Sequence, residues 1–237
     1  SLIESATKSL DIYTYQLTDK DVTRLIEAKA AAGVTIRIAT DKGEKKRLPR
    51  GTQRLERGSK GLMHEKLLLI DGKRLCIGSA NLTPPSLTMH DNTLLVIEDA
   101  PLTQALTLNT PTTSYRRLPA ADGLATLLES LKTAEISLDI ALFTFTHPAL
   151  CQELINAHQR GVRVAVSVDA TTARGASKGV IATLEKAGIR VRRRGGLPLF
   201  HHKWVVIDEH TAIIGSANWT RSAFERNAES FIKTHIS

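Results

Sequence analysis

Aromatic residues are scarce, 4% of 237 positions. A surface that binds bases mainly by stacking is rich in them, so stacking is not expected to be the main source of any nucleic-acid affinity. Cysteine is scarcer still, with only Cys76 and Cys151. Both fall where a strand and a helix are expected, which makes them buried free thiols. They define neither a disulfide nor a redox compartment. No Cys/His group has zinc-ligand spacing. No run of about 18 apolar residues occurs, so no membrane-crossing helix is expected. The chain begins at Ser1 in mid-pattern, without Met; a leader or anchor removed upstream is compatible with this, and the compartment stays undetermined.

What is present is positive charge and repetition. Thirty-two Lys and Arg against 24 Asp and Glu give a formal charge of +8 and a pI near 9.7. Hydrophobic content of 42% over this length is enough to bury a sizeable core, as one domain or two small ones. The stretch MHEKLLLIDGKRLCIGSANLT (63–83) returns as FHHKWVVIDEHTAIIGSANWT (200–220), with ten of 21 positions identical. Each copy reads as a β-hairpin. LLLI and WVVI are strand-like, Asp71-Gly72 marks the first turn, and RLCIGS and TAIIGS return.

Alternate residues of a strand share a face. His64 and Lys66 therefore point one way, as do His201 and Lys203, and Ser79 with Asn81 or Ser216 with Asn218 join them from the return strand. Each copy offers an imidazole, an ammonium, a hydroxyl and an amide to one spot, a donor set suited to phosphate oxygens. Asp71 lies five residues beyond Lys66, roughly 16 Å along an extended chain. Asp71 and Asp208 are therefore expected to brace the hairpin turns and not to touch substrate.

The pattern H-x-K-x4-D followed by G-S-x-N, present twice, resembles the phospholipase D superfamily, and the second half resembles its small bacterial endonucleases. The resemblance covers nearly the whole chain. It implies a two-step phosphodiester exchange that needs neither metal nor cofactor. One His attacks phosphorus and the other protonates the leaving oxygen, then activates water or an alcohol. Lys and Asn stabilise the transition state. The family also places an acid or amide fourteen residues after the motif glycine. Counting from Gly215 gives Glu229, and from Gly78 gives Asn92, with Asp91 as its alternative. By that resemblance His64 is held by Glu229 and His201 by Asn92, which makes His64 the nucleophile and His201 the general acid.

The duplication extends beyond the hairpins. Residues 9–41 read strand, helix, strand, with Asp19 or Asp21 as cap, Val22, Leu25, Ile26 and Ala30 as the apolar stripe, and Gly33 as the stop. Residues 137–169 repeat this without a gap, eight of 33 positions matching. A final strand closes each half (NTLLVIED, AESFIKTHI). The expected fold is α/β: two tandem phospholipase D-like halves, each a mostly parallel mixed sheet flanked by helices, packed as a pseudo-twofold dimer within a monomer. The halves are assigned to 1–108 and 120–237. Residues 109–119 serve as linker, and GLATLLESLKTA reads as an amphipathic helix opening the second half.

Basic residues crowd the variable segments ahead of each catalytic His. Lys45, Lys46, Arg47 and Arg50 stand in the first, Arg192, Arg193 and Arg194 in the second. The plain reading is a solvated surface; the functional one is a track for nucleic-acid backbone. Trp204 and Trp219 are expected in the core. Three readings follow: a nuclease on DNA or RNA, favoured here for the charge and small scaffold; a phospholipase D or phosphatidyl transferase, against which stands the lack of an obvious apolar entry loop; and a nucleic-acid-binding pseudoenzyme.

Overall fold

The computed structural model describes residues 1–43, 48–195 and 198–236. The first half runs β1 (Ser9–Tyr13), α1 (Lys20–Ala31), β2 (Thr35–Ala39), β3 (Gln53–Arg54), β4 (Leu67–Ile70), β5 (Arg74–Gly78), α2 (Pro84–Thr88), β6 (Leu94–Glu98) and α3 (Ala100–Thr107). The second runs β7 (Tyr115–Leu118), α4 (Gly123–Lys132), β8 (Ser137–Leu142), α5 (Pro148–Gln159), β9 (Arg163–Asp169), α6 (Ala170–Arg174), α7 (Lys178–Lys186), β10 (Val191–Arg194), β11 (Lys203–Ile207), β12 (Thr211–Gly215), α8 (Arg221–Glu225) and β13 (Glu229–His235).

Local chemistry sets these boundaries. The Asp19 carboxylate accepts the N–H groups of Asp21 and Val22 and so caps α1. Beyond each crossover helix a glycine takes the left-handed conformation, Gly33 at φ 90° and Gly161 at φ 94°. Ile26 is fully buried, while Val22, Leu25 and Ala30 pack half-buried beside it.

The strands form two sheets, ordered β3-β2-β1-β4-β5-β6 and β10-β9-β8-β11-β12-β13-β7. Both are mixed. Pairing is parallel across the β-α-β side and antiparallel from the hairpin outward. The parallel part is therefore narrower than the strand-helix-strand pattern suggests, because each hairpin adds strands without a crossover helix. Part of the segment read as linker is itself a strand: β7 pairs with β13 and closes the edge of the second sheet. Its sequence, YRRL, shows no apolar alternation. One apolar cluster holds Tyr13, Met63, Leu75 and Leu106 together with Tyr115, Ala228 and Ile232, so the core is continuous across the junction of the halves.

The hairpin turns do more than reverse the chain. Asp71 and Gly72 (φ 54° and 61°) and Asp208 and Glu209 (φ 51° and 65°) hold paired positive φ values, the twist that suits a tight hairpin turn, here within three-residue connections between Ile70 and Arg74 and between Ile207 and Thr211. The Asp71 carboxylate then accepts N–H groups from Thr7, Lys8 and Ser9 at 3.0, 2.7 and 2.9 Å. Asp208 repeats this with Glu135, Ile136 and Ser137 at 3.1, 2.7 and 2.8 Å. Each motif aspartate thus ties its turn to the start of the central strand β1 or β8.

Partial burial pushes the Asp71 carboxyl up, but these N–H groups and the Thr7 hydroxyl outweigh it and hold the carboxyl down to about 2. The folded value lies below the unfolded one of about 3.9, so the contribution to stability is complete above about pH 4 and fades as pH falls through about 2. Asp71→Ala should cost about 2 kcal/mol at neutral pH, the scale of hydrogen bonds to a charged group, with the deficit shrinking below pH 3. Urea melts across that range measure it.

Candidate active site

The two hairpins bring their histidines to the junction of the halves, and the opposite half holds each one. His64 N donates to Ala228 O at 2.8 Å and His201 N to Asp91 O at 2.8 Å. The next residue along each opposing strand reaches the ring. His64 Nδ1 lies 2.9 Å from both oxygens of Glu229, and His201 Nδ1 lies 3.0 Å from Asn92 Oδ1. A carboxylate only accepts, so His64 carries its proton on Nδ1. Asn92 Nδ2 donates to Ser86 O at 2.9 Å, which turns its oxygen toward His201 and assigns the same tautomer there. In both rings the Nε2 lone pair remains for chemistry.

The motif serines stand elsewhere than expected. Ser79 Oγ donates to Asn92 Oδ1 at 2.9 Å and Ser216 Oγ to Glu229 Oε2 at 2.5 Å, and each accepts a backbone N–H from Thr93 or Ser230. Both hydroxyls are buried and spent on holding the partners of the histidines, so neither faces a phosphate. The preceding glycines explain the close approach. A Cβ on Gly78 would sit 2.0 Å from Thr93 O, and one on Gly215 2.1 Å from Ser230 O.

The lysines are buried. Lys66 Nζ donates to His64 O at 2.5 Å and Lys203 Nζ to His201 O at 2.8 Å, leaving two donors each. Tyr15 and Phe143, at equivalent positions after β1 and β8, lie under them at 5.6 and 5.3 Å and pack against the two histidines. Burial pushes Lys66 down to about 7 against the pull of Glu229 and Glu65, and pushes Lys203 well below the lysine range with help from Lys66. Burial also lowers His64, partly offset by Glu229, and lowers His201 strongly, with Lys203, Lys66 and His64 adding to it. Four groups that want a nearby anion therefore share one spot with a single carboxylate. Asn218 Oδ1 accepts Thr144 N at 3.2 Å, which leaves its amide N–H groups free, while the equivalent Asn81 Oδ1 is buried without a partner.

Other candidates are not gathered there. Asp91 does not replace Asn92; alternation turns it to the other face, where it lies 3.0 Å from His202 Nε2. Arg193 points to α7 and pairs with Glu185 at 2.8 Å, while Arg192 and Arg194 are exposed on the edge strand β10. Arg50 precedes β3, at the end of the first sheet away from the histidines, with its N–H on Glu27 of α1. Lys45, Lys46 and Arg47 lie outside the described residues. Trp219 is buried edge-on to Phe145, and Trp204 is half-buried.

Two further pairs escaped the sequence reading. Asp41 accepts Met63 N at 2.7 Å and Asp169 accepts Phe200 N at 2.9 Å, so equivalent aspartates steer the chain into each His. Glu65, between His64 and Lys66, turns away from the site and is fully buried against Arg57 (2.9 Å) and Arg117 (3.6 Å). The gapless match of Asp41 with Asp169 was the one available signal for these.

A duplicated mixed-sheet fold with reciprocal His–Lys hairpins matches, at residues 1–109 and 127–236, the family model described as "Cardiolipin synthase, PLD-like domain". The chain belongs to the phospholipase D superfamily. Mitochondrial cardiolipin hydrolase of Homo sapiens is 41% identical over 113 residues, 47% of this chain and 44% of that protein. Phospholipase D of Rickettsia prowazekii is 30% identical over 114 residues, 48% of this chain and 55% of that protein. The chain thus spans about half the length of the curated relatives it matches. Phosphatidylserine synthase of Haemophilus influenzae shares the fold, with a TM-score of 0.74 over 98% of this chain and 78% of that one at 13% identity.

Proposed function

We propose that the chain is a metal-independent phosphodiesterase whose substrate is a phospholipid diester. In the first step, entered with His201 protonated on both nitrogens, the His64 Nε2 lone pair attacks phosphorus, the bond to the leaving alcohol breaks, and that oxygen takes the Nε2 proton of His201, which becomes neutral. In the second, His201 takes a proton from water, the resulting hydroxide attacks phosphorus, and the P–N bond breaks. Glu229 stabilises the positive charge that His64 acquires as the phosphohistidine. Asn92 orients His201 without holding back its proton. In the free site burial, with Lys203 and Lys66 adding to it, keeps His201 neutral; the bound diester's negative charge offsets the lysines and lets Nε2 take up the proton that it delivers.

The observation carrying the lipid reading is an apolar rim. Leu62, two residues before His64, is 42% exposed, and Met89, beside His90 whose ring lies 6.1 Å from that of His201, is 54% exposed. Neither lies in a longer apolar run, Leu62 standing in Gly61-Leu62-Met63-His64 and Met89 in Thr88-Met89-His90, which is why no apolar entry loop was legible. The likeness to cardiolipin hydrolases supports the same reading. Nucleic acid is the second reading, favoured by the exposed Arg192 and Arg194.

The test offers phosphatidylcholine vesicles, phosphatidylglycerol vesicles, plasmid, single-stranded DNA and RNA side by side, all in EDTA. Headgroup release with intact nucleic acids is expected. Cleaved nucleic acid with untouched vesicles would overturn the substrate assignment. Complete loss of activity in EDTA, restored by a divalent ion, would overturn the mechanism.

A further inference from the structure

The two motif copies differ at their middle residue, Glu65 in one and His202 in the other. The strand facing each copy differs to match. Opposite Glu65 stand Ala228, Glu229 and Ser230; opposite His202, at the same offset, stand Asp91, Asn92 and Thr93. His202 Nδ1 lies 2.6 Å from Thr93 Oγ1, and its Nε2 lies 3.0 Å from Asp91 Oδ1. The ring is nearly buried, edge-on to Phe200 at 4.4 Å and to Trp204 at 6.3 Å. One imidazole therefore grips both residues that flank Asn92.

We propose that His202 is a positioning residue that fixes Asn92 and, through it, the proton-donating geometry of His201. The inference rests on the reading of His201 as general acid. In the stretch leading into β6, Asp91 and Thr93 both turn to His202 and Asn92 turns to His201. Holding the first two leaves the amide no rotation about the chain axis. The carboxylate of Asp91 only accepts, so Nε2 donates to it, and the Thr93 hydroxyl, which can donate or accept, answers Nδ1. The backbone pairing of the same segments, Asp91 N to Leu199 O at 2.9 Å and His201 N to Asp91 O at 2.8 Å, sets the register in which the clamp closes. Among the described residues the first copy has no such device. Ala228 offers nothing to grip, and Glu65 is held by Arg57 and Arg117 instead.

The experiment compares two phosphodiesters, one with a p-nitrophenyl and one with a simple alkyl leaving group, in His202→Gln, Thr93→Val and His201→Asn. A p-nitrophenolate departs almost without protonation; an alkoxide does not. His202→Gln should lower kcat on the alkyl ester by tenfold to a hundredfold, a fraction of the roughly 10²–10⁴ a general acid contributes. It should keep the rate of the p-nitrophenolate burst, which reports the first step alone, within about threefold of the parent, because the second step, where His201 acts as base, is shared by both esters. Thr93→Val, which removes one arm of the clamp, should show the same pattern more weakly, and it carries the test if His202→Gln does not fold. Equal losses of the first-step rate on both esters, or none, in the variant that folds would overturn the positioning role. If His201→Asn itself shows no dependence on the leaving group, the underlying assignment of the general acid is what fails.

Discussion

Denaturation at alkaline pH, where a phosphohistidine P–N bond survives, of the His201→Asn variant during turnover of bis(p-nitrophenyl) phosphate should trap a phosphorylated peptide containing His64, and His64→Asn should trap none. The expectation follows from what faces each ring. The ring that attacks phosphorus becomes a cation bearing a phosphoryl group, and among the described residues Glu229 offers it a negative charge, at 2.9 Å from Nδ1. His201 meets a neutral amide oxygen at 3.0 Å, which directs its tautomer without charge. Loss of the nucleophile removes the covalent route altogether. Loss of the acid removes a factor of about 10²–10⁴ on poor leaving groups and little on p-nitrophenolate. Mass spectrometry of the quenched peptides decides it. An adduct on His201 in the His64→Asn variant would exchange the roles.

Anion binding should take up protons and weaken steeply with pH. In the free site burial lowers Lys66 to about 7, Lys203 further, and both histidines below their usual range. An anion held between them restores each toward its ordinary value. Between the free and bound values a group gains a proton on binding, and linkage then costs about tenfold in affinity per pH unit for each proton taken up. Tungstate or vanadate titrated by calorimetry from pH 6 to 9 should show affinity falling at least tenfold per unit above pH 7. Heats that vary with the ionisation enthalpy of the buffer would report the proton uptake directly. A flat profile would mean the lysines stay charged without a ligand. Lys203→Ala should remove most of the binding, since Nζ has two donors not used by the protein.

Much of this arrangement is written locally. The Asp-Gly turn, the Asp19 cap, the glycine stops and the alternation in each hairpin all act over a few residues, and the structure follows them. Counting fourteen residues from a motif glycine also places Glu229 and Asn92 opposite the histidines, because β5 with β6, and β12 with β13, are joined by similar short connections. What was not legible depends on the other half. Ser79 and Ser216 look like phosphate donors until the strand beside them supplies Asn92 and Glu229. Glu65 looks like a solvated glutamate until Arg117, which arrives on β7 from beyond the first half, closes over it. Arg50 looks close to His64 in sequence, yet β3 enters the sheet from the far end.

The reciprocal grip of the two halves has a further consequence. Two identical subunits about a twofold axis must present the same residue to both rings. Here the copies are fused, so one ring meets a carboxylate and the other an amide, with Glu65 answered by arginines and His202 by Asp91 and Thr93. The cleft therefore has a front and a back. A diester with two different substituents on phosphorus does not see equivalent docking modes, and which of its two oxygens departs is a property of the fused chain. Symmetric relatives with one motif per chain would have to choose that direction anew at each encounter.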